Sequence, residues 1–185
     1  MDRREAFRTP PRLALAGLLL LAARAAPGYD PLAVSGAGRI EKLDLNVHDG
    51  RRDRDIPVLI YLPERESPAA VVLFSHGLGG SREGNAYLGL HWAARGYAAV
   101  FVQHPGSDAS VWRDVGPASR MDAMQKAASG QNFLLRVRDI PAVLDQLGRW
   151  NGDGGHRLGK RLDMERVGMS GHSFGAVTTQ AVSGQ

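Results

Sequence analysis

Gly171-His172-Ser173-Phe174-Gly175 sets a hydroxyl between two glycines where a short apolar run, residues 166–170, meets a helix-compatible run, residues 176–181. A G-x-S-x-G pattern at a strand-to-helix junction is the pattern of a nucleophile elbow. The sharp turn lifts the serine oxygen clear of a sheet, and glycine on either side relieves crowding between backbone segments. The chemistry is attack on a carbonyl through a covalent acyl intermediate. Such a reaction needs two N–H groups aimed at the oxygen that becomes negative. Ser75-His76-Gly77-Leu78-Gly79-Gly80 leaves the apolar run 69–74 as a glycine-rich loop, which is where one donor originates; the other follows the nucleophile. The candidates are therefore Ser173 as nucleophile, Leu78 and Phe174 as backbone oxyanion donors, and Gly171 and Gly175 as elbow glycines.

A serine needs a base. Where the sequence order is serine, then acid, then histidine, both partners follow the nucleophile, yet the chain ends at Gln185, ten residues past Gly175. Both are expected beyond Gln185. His172 adjoins Ser173, but adjacent side chains on an elbow diverge. His76 belongs to the oxyanion-side loop and is read as a candidate pocket residue that packs and hydrogen-bonds. His104 and Asp108 flank a Pro-Gly turn that they are expected to hold. His48, His91 and His156 lack metal-ligand spacing, so no metal is expected. No cofactor is expected either. Residues 154–161 match G-x-x-x-x-G-K, but Arg161 stands where Ser or Thr must hold magnesium, and the segment links a helix to a strand rather than the reverse. Residues 77–82 follow a strand, yet Arg82 occupies the third glycine of a dinucleotide fingerprint.

The elements that position these groups alternate as in an α/β protein. Residues 39–47 and 56–62 predict an antiparallel pair around a polar turn, 48–54. The wholly apolar run 69–74 and the run 97–102 suit strands buried on both faces, with a helix over 85–95 between them. The longest helical stretch is 131–150, where Phe133, Leu134, Val137, Ile140, Val143, Leu144 and Leu147 recur at helical spacing; Pro141 predicts a kink or a restart. Residues 106–130 are the least regular and read as a long loop, which either borders the acyl or leaving-group pocket with Trp112 as an apolar wall or is a surface excursion folded over the core.

The 185 residues hold no cysteine, which excludes disulfides and a thiol nucleophile. Residues 1–25 read as a cleavable export signal: a basic start with Arg3, Arg4, Arg8 and Arg12, an apolar run from Leu13 to Ala23, and Ala23-Arg24-Ala25 as a cleavage site. The apolar run is too short for a permanent membrane span. An exported protein, periplasmic or secreted, is the expectation, with Arg3-Arg4 leaving the twin-arginine route open. The formal charge of +4 sits mostly in that leader; without its five arginines and two acids, 18 basic and 17 acidic side chains remain. That near-neutral remainder offers no stripe for nucleic acid.

Taken together, residues 74–80, His104-Pro105-Gly106-Ser107-Asp108 and residues 171–176 resemble the α/β-hydrolases related to platelet-activating-factor acetylhydrolase and to dienelactone-hydrolase-like serine esterases. The resemblance covers residues 28 to 185, the N-terminal half to two-thirds of such a domain. It implies an α/β-hydrolase fold truncated after the elbow, occupying residues 26–185, with a mostly parallel sheet and an N-terminal antiparallel pair. It also implies that Ser173 attacks small carboxylic or lipid esters, with Leu78 and Phe174 holding the oxyanion. Dienelactone hydrolases use a cysteine nucleophile, so Ser173 points to the acetylhydrolase and esterase branch. The chain alone is expected to be deficient, and the elbow strand is expected to form an open edge. Two other readings stay open: an inactive fragment or binding module of the same fold, and a polyester or cutin esterase.

Overall fold

Residues 38–184 are described in a computed structural model; the leader expected over residues 1–25 and the segment through residue 37 lie outside them. The chain opens with a hairpin, β1 (Ile40–Asp49) and β2 (Arg54–Pro63), paired antiparallel from Ile40↔Pro63 to Asp49↔Arg54. It continues through β3 (Ala69–Ser75), α1 (Ala86–Ala94) and β4 (Ala98–Val102). Two short helices, α2 (Ser110–Arg113) and α3 (Arg120–Ala127), lead to the long α4 (Gly130–Gly152), and β5 (Leu162–Gly171) and α5 (Phe174–Val182) follow.

The five strands lie in the order β1-β2-β4-β3-β5. β3 pairs parallel with both β4 and β5, whereas β2 pairs antiparallel with both β1 and β4. The sheet is thus mixed rather than mostly parallel. Its parallel part begins only where helical crossovers begin, because a short connection such as the β1–β2 turn can join only antiparallel neighbours.

Both faces of the sheet are covered, which is why β3 and β4 read as unbroken apolar runs. On one face Ala98, Val100 and Val102 pack with Ile140, Val143 and Leu147 of α4; on the other, Ala99 and Phe101 meet Tyr61, Phe74 and the Trp92 side of α1. The rings of Phe74 and Phe101 lie 4.8 Å apart, within the range of favourable offset aromatic contacts.

Two expectations are corrected. α4 does not restart at Pro141: it continues through that exposed residue, so the helix loses one backbone bond on its outer face while the inner stripe stays packed against the sheet. The stretch 106–130 is not a long loop: α2, a 3-10 turn at Pro117–Ser119 and α3 fill most of it. Its apolar residues are few and spaced irregularly, so hydrophobic periodicity gave no signal for helices this short. Among the described residues, no helix is long and apolar enough to cross a membrane.

Candidate active site

The parallel register aligns Ser75 with Gly171, so the loops leaving β3 and β5 emerge side by side at the strand ends. His172 N–H donates to the Ser75 carbonyl at 3.1 Å, extending that pairing into the turn. Ser173 then breaks from the strand with φ 52° and ψ −117°, a conformation that side chains rarely adopt, and α5 starts at the next residue. Ser173 is exposed. Gly175 carries the close approach: a Cβ there would overlap the Ser75 carbonyl oxygen and lie 2.8 Å from the His76 oxygen. At Gly171 a Cβ would overlap the Gly175 carbonyl. Both elbow glycines are therefore required by backbone packed on backbone.

The loop after β3 passes beside the serine, since a Cβ on Gly77 would stand 3.4 Å from Ser173 Cβ. The loop is clamped from its far side. Gly79 N–H donates to Ser107 O at 2.9 Å, Trp112 Nε1 donates to Gly79 O at 2.8 Å, and Gly80 bridges to Asp108. Trp112, read from the sequence as a pocket wall, braces this loop. Phe174 N–H opens α5 and has no partner within that helix. Leu78 N–H has no backbone acceptor among the described residues. The two amides nominated as oxyanion donors are thus left without backbone partners on the two segments that flank Ser173.

His76 and His104 are committed elsewhere. His76 Nδ1 donates to Gly77 O at 2.6 Å, which leaves Nε2 to accept the His104 N–H at 3.1 Å. Burial pushes the His76 imidazolium down to about 4 against that Gly77 hydrogen bond, so the ring is neutral near pH 7. His104 Nδ1 donates to Asp139 Oδ2 at 2.9 Å, so Nε2 accepts the Ser75 hydroxyl at 2.9 Å. Burial lowers His104 to about 4 as well, against the pull of Asp139. The His104–Asp139 contact is therefore a hydrogen bond from a neutral ring. Burial alone would raise the Asp139 carboxyl, but hydrogen bonds from His104 and Arg54 outweigh it and hold it below the usual carboxylate range. Arg52 also donates to Asp139, at 2.9 Å. His104 does more than hold the Pro-Gly turn: it links β3 to α4.

Ser75, His104 and Asp139 thus reproduce a serine–histidine–carboxylate chain of hydrogen bonds, wholly buried, whereas Ser173 is exposed. With no solvent-facing hydroxyl, that chain is structural. The sequence reading missed Arg136 and Asp139, both buried on α4. A signal was present: they fall on the helical stripe of Ile140, Val143 and Leu147, where charged residues are out of place without partners. The reading placed Leu134 on that stripe instead, and it is exposed. Among the described residues, no cluster of side chains could hold a metal ion.

No family model and no curated relative matches the sequence. Solved structures do. A ferulic acid esterase from Streptomyces cinnamoneus superposes with a TM-score of 0.61 at 21% identity, over 83% of this chain and 57% of its own. A dienelactone hydrolase from Anabaena variabilis gives 0.52 at 16% identity, over 77% of this chain and 56% of its own. The mixed α/β fold is similar to part of the α/β-hydrolase fold. An acylaminoacyl peptidase from Pyrococcus horikoshii also matches, with a TM-score of 0.55 at 21% identity, over 76% of this chain and 20% of its own. The chain spans a little over half the length of the first two structures, so the α/β-hydrolase likeness is partial. At these identities the likeness is one of fold, and the chemistry rests on the site.

Proposed function

We propose that Ser173 is the nucleophile of a carboxylic ester hydrolase, with the amides of Leu78 and Phe174 receiving the oxyanion. One observation carries this reading: a non-glycine residue at φ 52°, ψ −117°, exposed at a strand-to-helix junction with no capping hydrogen bond from its side chain. Such a conformation costs about 1–3 kcal/mol and gathers at functional positions. The flanking glycines permit it, and the packing of α5 on the end of β3 enforces it.

In this reading Ser173 Oγ attacks the ester carbonyl carbon as its proton passes to a base, and the tetrahedral oxygen takes its charge toward the two amides. Collapse breaks the carbon–oxygen bond to the alcohol, which leaves with the proton from the base. Water then repeats the sequence on the acyl-enzyme and releases the acid. Neither His76 nor His104 serves as the base, since both ring nitrogens of each are engaged. A histidine from outside residues 38–184 fills that role, oriented by a carboxylate. Small carboxylic or lipid esters met outside the cytoplasm are the proposed substrates.

A fluorophosphonate probe tests the assignment, because serine displaces its fluoride without needing a particular acyl group. Intact-mass and peptide analysis should find the adduct on Ser173, formed slowly by the 185-residue chain and faster with added imidazole as an external base. Ser173→Ala should abolish it. No adduct at saturating probe and imidazole, in a chain with native far-UV dichroism, would overturn the reading in favour of a binding role for the fold.

A further inference from the structure

One buried cation joins the segments that border Ser173. Arg136, in the second turn of α4, is fully buried, and its guanidinium has four acceptors. Nε donates to Thr178 Oγ1 at 3.1 Å, Nη1 to Ser107 Oγ at 2.9 Å, and Nη2 to Ser75 Oγ at 2.9 Å and to the His76 carbonyl. Its central carbon lies 4.7 Å from the centre of the Phe174 ring. These partners come from the end of β3, the loop after β4, α5 and the residue that follows the nucleophile.

The hydroxyls relay the arrangement in a single sense. Each accepts from Arg136 and donates onward: Ser75 to His104 Nε2 at 2.9 Å, Ser107 to His104 O at 3.2 Å, and Thr178 to Phe174 O at 3.0 Å. His104 in turn donates to Asp139, which Arg52 and Arg54 hold. Taking a guanidinium out of water is costly, and apolar packing would often serve stability as well or better. What this residue adds is geometry. A planar fork bonded to the His76 carbonyl fixes the plane of the His76–Gly77 peptide, immediately before the peptide that carries the Leu78 N–H. The same guanidinium, lying over the Phe174 ring, fixes the residue that supplies the second amide.

We propose that Arg136 is the positioning residue of the oxyanion hole, setting the amides of Leu78 and Phe174 relative to each other from beneath the site; this rests on the reading of Ser173 as nucleophile. A lysine would keep the charge but not the fork, because one ammonium cannot reach four acceptors on separate segments.

The test uses the 185-residue chain as wild type, Arg136→Lys and Arg136→Met, with two readouts. Site-resolved hydrogen exchange should show amides 77–80 exchanging at least about 10-fold faster in Arg136→Lys, with β2 and β4 amides at wild-type rates. Fluorophosphonate kinetics with imidazole should show the maximal labelling rate of Ser173 falling about 10–100-fold, as misplacement near 1 Å does, with half-saturating probe unchanged. Arg136→Met should do the same if it folds; Arg136→Lys decides if it does not. Loop exchange at the wild-type rate in Arg136→Lys, or a uniform rise across the whole sheet, would overturn the proposal. So would a full rate of labelling in that variant. Absence of labelling in the wild type would count against Ser173 and leave the exchange readout to judge Arg136.

Discussion

Replacing Ser173 by glycine should stabilise the fold while destroying the candidate nucleophile, and the size of the gain follows from the backbone. At φ 52°, ψ −117° the serine Cβ carries strain of about 1–3 kcal/mol. Glycine removes that strain but adds freedom to the unfolded chain worth about 0.4–1 kcal/mol in the other direction. With both effects taken near mid-range, the net gain is about 1–2 kcal/mol. Ser173→Ala is the proper reference, because it retains the Cβ and loses only an exposed hydroxyl with no capping bond, a change worth less than about 0.5 kcal/mol. For a chain of this size each kcal/mol moves Tm by about 2–4 °C, so Ser173→Gly should melt roughly 2–8 °C above Ser173→Ala. Thermal unfolding at several scan rates, with urea unfolding to check the free energy, makes the comparison. Equal stability of the two variants, or a less stable glycine variant, would mean that residue 173 is relaxed and that the elbow stores no strain.

Further outcomes follow from the same contacts. Gly175→Ala forces α5 away from the end of β3, because the added carbon overlaps the Ser75 carbonyl; the urea midpoint should fall by the equivalent of about 1–3 kcal/mol or more, and Ser173 labelling should fall with it. His76 and His104 titrate near 4 when folded against about 6.5 when unfolded, so between those values the unfolded chain binds more protons and stability rises with pH. Stability should therefore be full above pH 6.5 and decline by a few kcal/mol toward pH 4, and His104→Gln should flatten that slope in urea titrations. Asp139, lowered in the fold, adds a loss that continues below pH 4. Val167→Lys, on the exposed face of β5, should reduce self-association in sedimentation velocity and leave the melting temperature within about 2 °C.

The elbow and the loop after β3 were legible because each rests on a local rule: glycine where backbone meets backbone, and an apolar run ending in a turn. β1 and α4 were legible from periodicity, β2 from its β-rich composition, β3 and β4 as apolar runs buried on both faces, and α1 from its end before Gly96. The pairing of β2 with β4 was not, because an antiparallel neighbour between hairpin and crossover leaves no mark on either strand. The bracing role of Trp112 was not legible either: its indole N–H reaches the Gly79 carbonyl, a partner 33 residues away. Arg136 and Asp139 were hidden for a related reason. Their partners are hydroxyls, a carbonyl, His104 and arginines scattered from residue 52 to residue 178, and only the folded chain assembles them.

Among the described residues β5 pairs on one side only, with β3, and along its other side residues 165–168 are exposed above an apolar groove of about 440 Å3 that includes Val137, Leu144 and Met169. That free side runs directly into the turn that carries Ser173. Any polypeptide that zips onto β5 in the parallel sense would finish its strand beside the serine, so completing the sheet and equipping the hydroxyl with new side chains would be a single event.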